Sequence, residues 1–151
     1  MISKLPSLCY NGDLDSVRGL VGQGEDVNCN NKNFGNSTGL MEAVKEKHNS
    51  IVKFLLEQPT LDLNWANSEG WTALHFAADA VAVDGVQLLL ADPRLNTQNH
   101  MDDGGNTPVM MAIWSKKVNS LRALVVHPSV DLDTGDDLGR SLEDFARWVI
   151  Y

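Results

Sequence analysis

Trp71-Thr72-Ala73-Leu74-His75-Phe76-Ala77 decides how this chain is read, because the same pattern recurs along it. Before it stands Ser37-Thr38-Gly39-Leu40-Met41-Glu42-Ala43. After it come Asn106-Thr107-Pro108-Val109-Met110-Met111-Ala112 and Arg140-Ser141-Leu142-Glu143-Asp144-Phe145-Ala146. The alanines fall at 43, 77, 112 and 146, spacings of 34, 35 and 34. An aliphatic block keeps the same phase at Ile51-Val52-Lys53-Phe54-Leu55-Leu56, Val86-Gln87-Leu88-Leu89-Leu90 and Leu121-Arg122-Ala123-Leu124-Val125. A third block is Pro59-Thr60-Leu61-Asp62-Leu63-Asn64, then Pro93-Arg94-Leu95-Asn96-Thr97-Gln98 and Pro128-Ser129-Val130-Asp131-Leu132-Asp133. Three blocks sharing one period describe an array of repeated units, each too small to bury its own apolar face.

Each block has a mechanical meaning. The Thr-x-Leu/Val-x-x-Ala block opens a first helix, with threonine as N-cap and alanines that let neighbouring helices approach. Pro108, directly after Thr107, suits a first turn, where no hydrogen-bonded N–H is lost. A second helix begins around Asp15, Ser50, Asp84 and Asn119, spaced 35, 34 and 35. These residue types are expected to satisfy the free N–H groups at its start. Its leucine-rich run is too apolar for a lone surface helix and must pack on both neighbours. Pro59, Pro93 and Pro128 stop it, and Asn67-Ser68-Glu69-Gly70 and Asp102-Asp103-Gly104-Gly105 are turn formers.

Over nearly all its length the chain resembles the ankyrin-repeat family. Thr72-Ala73-Leu74-His75-Phe76-Ala77-Ala78 is similar to that family's T-P-L-H-x-A-A, Gly24-Glu25-Asp26-Val27-Asn28 to its G-A-D-V-N, and Asn106-Thr107-Pro108 to its G-x-T-P. The resemblance implies a mainly α repeat solenoid, each unit a β-turn or hairpin followed by two antiparallel helices, in one domain over 1–151. The units would be 1–32, lacking its own opening hairpin, then 33–66, 67–101 and 102–135, and a partial unit at 136–151. Several positions depart from the pattern. Met41, Met110 and Asp144 replace the histidine, and Glu42 and Glu143 stand where apolar residues are wanted, so those helices are expected to be rotated or edge-exposed. Lys47, Val81 and Lys116 occupy the place of a helix-ending glycine. A β-branched residue resists a left-handed conformation, so the turn at Val81 is expected to be built differently. The apolar end Phe145–Tyr151 has no second helix. It either caps the array through a lone helix or belongs to a longer protein.

Composition agrees with a folded domain. The 151 residues are 43% hydrophobic and 21% charged, with 12 basic and 20 acidic side chains and a formal charge of −8. Such a chain repels phosphate backbones and anionic membranes, and no nucleic acid or membrane is expected as partner. Cys9 and Cys29 make no disulfide framework and fit a reducing compartment. No signal-peptide core or membrane-length apolar run is present. The expected setting is the cytoplasm, the nucleus or both, and the expected state is a monomer.

Catalysis has little to stand on. His75 lacks a nucleophile at motif spacing, and the resemblance gives it a role tying adjacent loops together. His48, His100 and His127 lack metal-ligand spacing. The run Asp131-Leu132-Asp133-Thr134-Gly135-Asp136-Asp137 fails the calcium-loop pattern at its fifth, sixth and twelfth positions, the last being Leu142. Gly19 to Gly24 follows a helical pattern and precedes no helix, so it is no phosphate cradle. No enzyme activity, metal or cofactor is expected.

Binding is better supported. In ankyrin-like arrays the hairpin tips and first helices form a concave recognition surface. By that resemblance the contact residues would be Phe34, Ser37, Lys45, Ser68, Glu69, Trp71, Asp79, Asp103, Asn106, Trp114 and Arg140. Large aromatics at tips are unusual, and Trp and Arg anchor interfaces. The alternative, packing against the next repeat, is preferred for Trp65 and stays open for Trp71 and Trp114. The acids Asp131, Asp133, Asp136, Asp137, Glu143 and Asp144 outnumber Arg140 and Arg147 at the C-terminal end. That bias either steers a basic partner or serves solubility. The spacing around Asn28 and Asn64 is similar to that recognised by asparaginyl hydroxylases. The primary expectation is a protein-interaction module. The other is an architectural segment of a larger protein, packed on its own neighbouring domain.

In an array, damage at the centre weakens two junctions and damage at an end only one. Leu89→Ala is expected to cost about 2–5 kcal/mol and to lower the melting temperature more than Leu142→Ala. Equal losses in thermal melts would contradict the array.

Overall fold

The computed structural model describes residues 3–133 and Leu142. Eight α-helices occur among them, in antiparallel pairs: α1 (Leu5–Asn11) with α2 (Leu14–Gly22), α3 (Gly39–Lys45) with α4 (Asn49–Leu56), α5 (Ala73–Asp79) with α6 (Val83–Ala91), and α7 (Pro108–Trp114) with α8 (Val118–Val125). The first helices stack as α1-α3-α5-α7 and the second as α2-α4-α6-α8, so each pair covers the flank of the next. A short hairpin, β1 (Asn30–Asn31) and β2 (Ser37–Thr38), sets Asn30 opposite Thr38 around a 3-10 turn at Lys32–Phe34. At the two later junctions the hairpin shrinks to a turn. Asn67 and Asp102 donate their N–H groups to the carbonyls of Trp71 and Asn106, each at 2.9 Å.

The repeated motif works as a cap. Thr38, Thr72 and Thr107 are the N-caps of α3, α5 and α7. In α5 the Nδ1 of His75 accepts the Thr72 N–H at 3.1 Å. Where methionine stands instead, its sulfur takes the same place, accepting from Thr38 N–H and Thr107 N–H at 3.5 Å. Sulfur is a weak acceptor, but it leaves no buried N–H unpaired. Ala43, Ala77 and Ala112 are fully buried. At Gly39 even a methyl group is excluded, since a Cβ would lie 2.9 Å from Cys9 Sγ.

Three expectations need correction. Asp15, Ser50, Asp84 and Asn119 are each the second residue of their helix, and the N-cap positions are Asp13, His48, Ala82 and Lys117. Among these only Asp13 caps with its side chain, accepting from Ser16 N–H at 3.1 Å. Asp84 instead accepts from Asn49 Nδ2 at 2.8 Å, linking α4 to α6. Second, Val81 does adopt the left-handed conformation, φ +55°, like Gly12, Lys47 and Lys116 at +78°, +63° and +54°. One bond recurs just after each: the N–H groups of Asp13, His48, Ala82 and Lys117 donate to Leu8, Ala43, Ala77 and Ala112 carbonyls at 2.8–3.1 Å. This is the six-to-one closure of a left-handed helix end. The neighbouring units dictate where the second helix must lie, and this outweighs the preference of valine.

Third, Glu42 is neither rotated outward nor at an edge. It is 2% exposed, facing the Ser37 hydroxyl, and its Oε2 has no hydrogen-bond partner among the described residues. Burial pushes its carboxyl above the usual glutamate range, against the opposing pull of Lys45 and Ser37.

Val81→Gly is expected to stabilise the array by about 1 kcal/mol, since removing left-handed strain outweighs the added unfolded-state entropy. An unchanged or lower midpoint in urea unfolding would contradict this. A raised folded-state pKa means that Glu42 favours folding most when protonated, and that this is lost as pH rises through it. Glu42→Met, the residue standing at the equivalent position 111, is therefore expected to add about 1–3 kcal/mol at neutral pH. That gain should shrink in acid. A gain independent of pH would argue against ionisation as its cause.

Candidate recognition surface

Two rows of side chains follow from the period. The last turns of the first helices carry Tyr10, Lys45, Asp79 and Trp114 at one equivalent position, spaced 35, 34 and 35. The tips carry Phe34, Ser68 and Asp103, spaced 34 and 35. Where the rows meet at the N-terminal end, the rings of Phe34 and Tyr10 stack with centroids 6.0 Å apart and planes at 16°. Both are 41% exposed, and Trp114 is 46% exposed. Lys45, Ser68, Glu69 and Asp103 are also exposed.

The tips are tied to one another. The N–H and Oγ of Ser68 both donate to the Gly35 carbonyl at 2.8 Å, and the Asp103 N–H donates to the Glu69 carbonyl at 3.1 Å. Gly70, at φ +75°, leaves room for this step, because a Cβ there would stand 2.8 Å from the Asp103 nitrogen. Asn67 Oδ1 and Asp102 Oδ1 each accept two backbone N–H groups of their own turns. The result is a rigid edge.

Trp71 is half-buried, its ring 5.0 Å from Phe76 in an edge contact and 6.2 Å from His75. It both packs and presents a face. Asp79 and Asn106 are half-buried and engaged. Asp79 Oδ1 accepts from Ser115 Oγ at 2.5 Å, and the Asn106 carbonyl accepts from His75 Nε2 at 3.0 Å. Ser37 is a correction: at 2% exposure beside Glu42 its side chain faces inward and offers nothing to a partner. Arg140 lies outside the described residues. Tyr10 was not among the sequence-derived candidates, because the first unit lacks the motif that marks the others. Its position 35 residues before Lys45 is the signal that could have found it. Trp65 packs as expected, donating from Nε1 to the Asn36 carbonyl at 3.1 Å.

The opposite edge is a second ladder. Asn28 accepts from Asp62 N–H and donates to the Thr60 carbonyl, both at 2.7 Å. Asn64 does the same with Asn96 N–H and the Arg94 carbonyl, both at 2.9 Å. Both candidates for hydroxylation thus use their amides to join loops. The third rung is Asn99, bonded to Asp131 N–H at 2.7 Å and the Ser129 carbonyl at 2.9 Å, rather than Gln98. With Asn99 in the place of Asn64, one residue is inserted between Asn96 and Asn99 relative to Asp62–Asn64, which gives the spacing of 35 from Ala77 to Ala112. Arg94 adds a clamp, donating to the Leu56 and Gln58 carbonyls at 2.6 and 2.9 Å while paired with Asp92 at 2.7 Å.

The reactive-looking groups are structural. Burial lowers the His75 pKa, and its two bonds fix the neutral tautomer with hydrogen on Nε2. Burial pushes the Cys9 thiol up to about 12, with Cys29 and Glu42 adding to it, so no thiolate forms there near neutrality. Among the described residues no three His, Cys, Asp or Glu side chains could share a metal ion, and no helix is long and apolar enough to cross a membrane.

Known proteins match this architecture. The family description "Ankyrin repeats (3 copies)" matches residues 7–99. YahD of Escherichia coli K12, an ankyrin repeat protein by name, is 38% identical over 114 residues, covering 69% of this chain and 52% of its own length. Regulatory protein NPR6 of Arabidopsis thaliana is 38% identical over 89 residues, 56% of this chain and 18% of that protein. I-Kappa-B like protein C1 of Microplitis demolitor bracovirus is 41% identical over 58 residues, 38% of this chain and 33% of that protein. The chain therefore spans about half the length of YahD and less of the other two. With three copies matched over more than half of the chain, and the matched residues folded as stacked helix pairs, this protein belongs to the ankyrin-repeat family, whose arrays generally bind other proteins.

Proposed function

We propose that this protein is a non-enzymatic recognition module that binds another protein through the face formed by its tips and first helices. The units are read as one domain, at 1–32, 33–66, 67–101, 102–135 and 136–151. The observation that carries the proposal is the exposure of Tyr10, Phe34 and Trp114 on two rows, one of tips joined by backbone bonds and one on packed first helices. An exposed aromatic on a rigid frame loses little entropy on binding. Asp103 and Glu69 at the tips, with a formal charge of −8, favour a partner with a basic surface. Acidity also argues against nucleic acid and anionic membrane. A monomer in the cytoplasm or nucleus fits this role. The same array could serve as an architectural segment, since the matched relatives YahD and NPR6 are longer chains.

With a bound partner, the double variant Trp71→Ala/Trp114→Ala is expected to weaken affinity by about 2 kcal/mol or more. Removing the Asp103 carboxylate should mainly slow association and flatten its salt dependence. Lys53→Ala, on the outer face of α4, should change little. Undiminished affinity in a correctly folded double variant, measured by calorimetry, would sink this placement.

A further inference from the structure

We infer that the recognition face is divided by charge: the partner segment it accepts brings an apolar side chain bordered by carboxylates to Tyr10 and Phe34, and lysine or arginine to Glu69 and Asp103. The inference rests on the recognition reading above and adds the chemistry and the direction of the occupant.

The division is legible in the tips. The first, 31–37, holds Lys32 and no acid. The later two, 66–71 and 101–106, hold Glu69, Asp102 and Asp103 and no lysine or arginine. Contacts set their order along the edge. Phe34 stacks on Tyr10, the Gly35 carbonyl next to it in sequence accepts from Ser68, and the Glu69 carbonyl accepts from the Asp103 N–H. The Asp103 carboxylate leans back toward the tip that carries Glu69, since a Cβ at Gly70 would meet its Oδ1 at 2.8 Å. An aromatic pair with a cation thus stands at one end of the edge, and two carboxylates on adjoining tips stand at the other.

These charges differ in how far the fold already uses them. Asp102 turns Oδ1 into its own turn, accepting from the Gly104 and Asn106 N–H groups. Lys32, Glu69 and Asp103 are exposed. Among the described residues no ion pair holds their charged ends, and the pair found is Arg94 with Asp92. Lys45, exposed at the position of Tyr10 on α3, adds to the basic end. It also draws on Glu42. That carboxyl is 2% exposed, so a partner meets the lysine and not its buried neighbour.

Electrostatics then selects the occupant. At physiological salt the Debye length is about 8 Å, so a docked group senses the nearest side chains more than the formal charge of −8. A cation over Tyr10 and Phe34 would gain from the ring faces. Those faces are partly spent on each other, and Lys32 and Lys45 repel it. An apolar side chain on the rings escapes that repulsion, and carboxylates beside it are attracted. At Glu69 and Asp103 the signs are reversed. A uniformly basic segment therefore satisfies one end and is opposed at the other.

The test selects binders to the full chain from a displayed library of random sixteen-residue segments. Enriched segments are expected to carry acids around an apolar residue in one half and lysine or arginine in the other. Lys32→Glu/Lys45→Glu and Glu69→Lys/Asp103→Lys should each weaken an enriched peptide at least tenfold. Lys32→Glu and Asp103→Lys alone replace a double variant whose thermal melt is lowered. Reversing the signs of the peptide's acidic half should recover affinity for the first variant only, and of its basic half for the second only. A nitroxide at the acidic end should broaden the Phe34 amide signal, and one at the basic end that of Asp103. Uniformly basic binders, the opposite nitroxide placement, or indifference to either charge variant would overturn the inference. If such binders are still lost with Trp71→Ala/Trp114→Ala, the recognition face stands. No binders at all, or binders indifferent to every variant, overturn both readings.

Discussion

Everything in this array depends on one constraint: a single helix pair has two apolar flanks and cannot cover either by itself. Leu40, Ala43 and Val44 of α3, and Leu74, Ala77 and Ala78 of α5, lose their solvent only because neighbouring helices lie against them. The inner helices come close enough to exclude a methyl group at Gly39. Stability is therefore a property of junctions rather than of units, and burial between neighbours is its main source.

That constraint overrides local preference wherever the two disagree. Val81 takes a left-handed backbone that valine resists, because Ala82 must donate to the Ala77 carbonyl for α6 to reach its neighbours. Met41 and Met110 accept backbone N–H groups through sulfur, where α5 has an imidazole. Glu42 sits in a slot that holds Phe76 and Met111 in the following units, with one oxygen unpaired. Each is tolerated because the surrounding junction determines the backbone before the side chain is consulted.

The same junctions tie the two edges of the array together. The tips step along through Gly35 and Glu69 carbonyls, and the far edge through Asn28, Asn64 and Asn99. With both edges bonded, side chains at equivalent positions are held in register, so the proposed binding would not first require a loop to be ordered. Preorganisation of this kind lowers the entropic cost of association. Tyr10, Lys45, Asp79 and Trp114 differ in chemistry at one equivalent position while the frame that holds them stays the same.

The sequence by itself determined the period, the capping threonines, the buried alanines, the loop-tying role of His75 and the family, because each is a repeated local chemical requirement. It also placed Lys45, Ser68, Glu69 and Asp103 on the exposed face. Only the tertiary structure decided the left-handed turn at Val81, the inward Ser37, the burial of Glu42 and the stacking of Tyr10 on Phe34. It also put Asn99, rather than the aligned Gln98, in the place equivalent to Asn64. In these the outcome is set by packing within and between units, and a local pattern carries no record of which side of a residue a neighbour will cover.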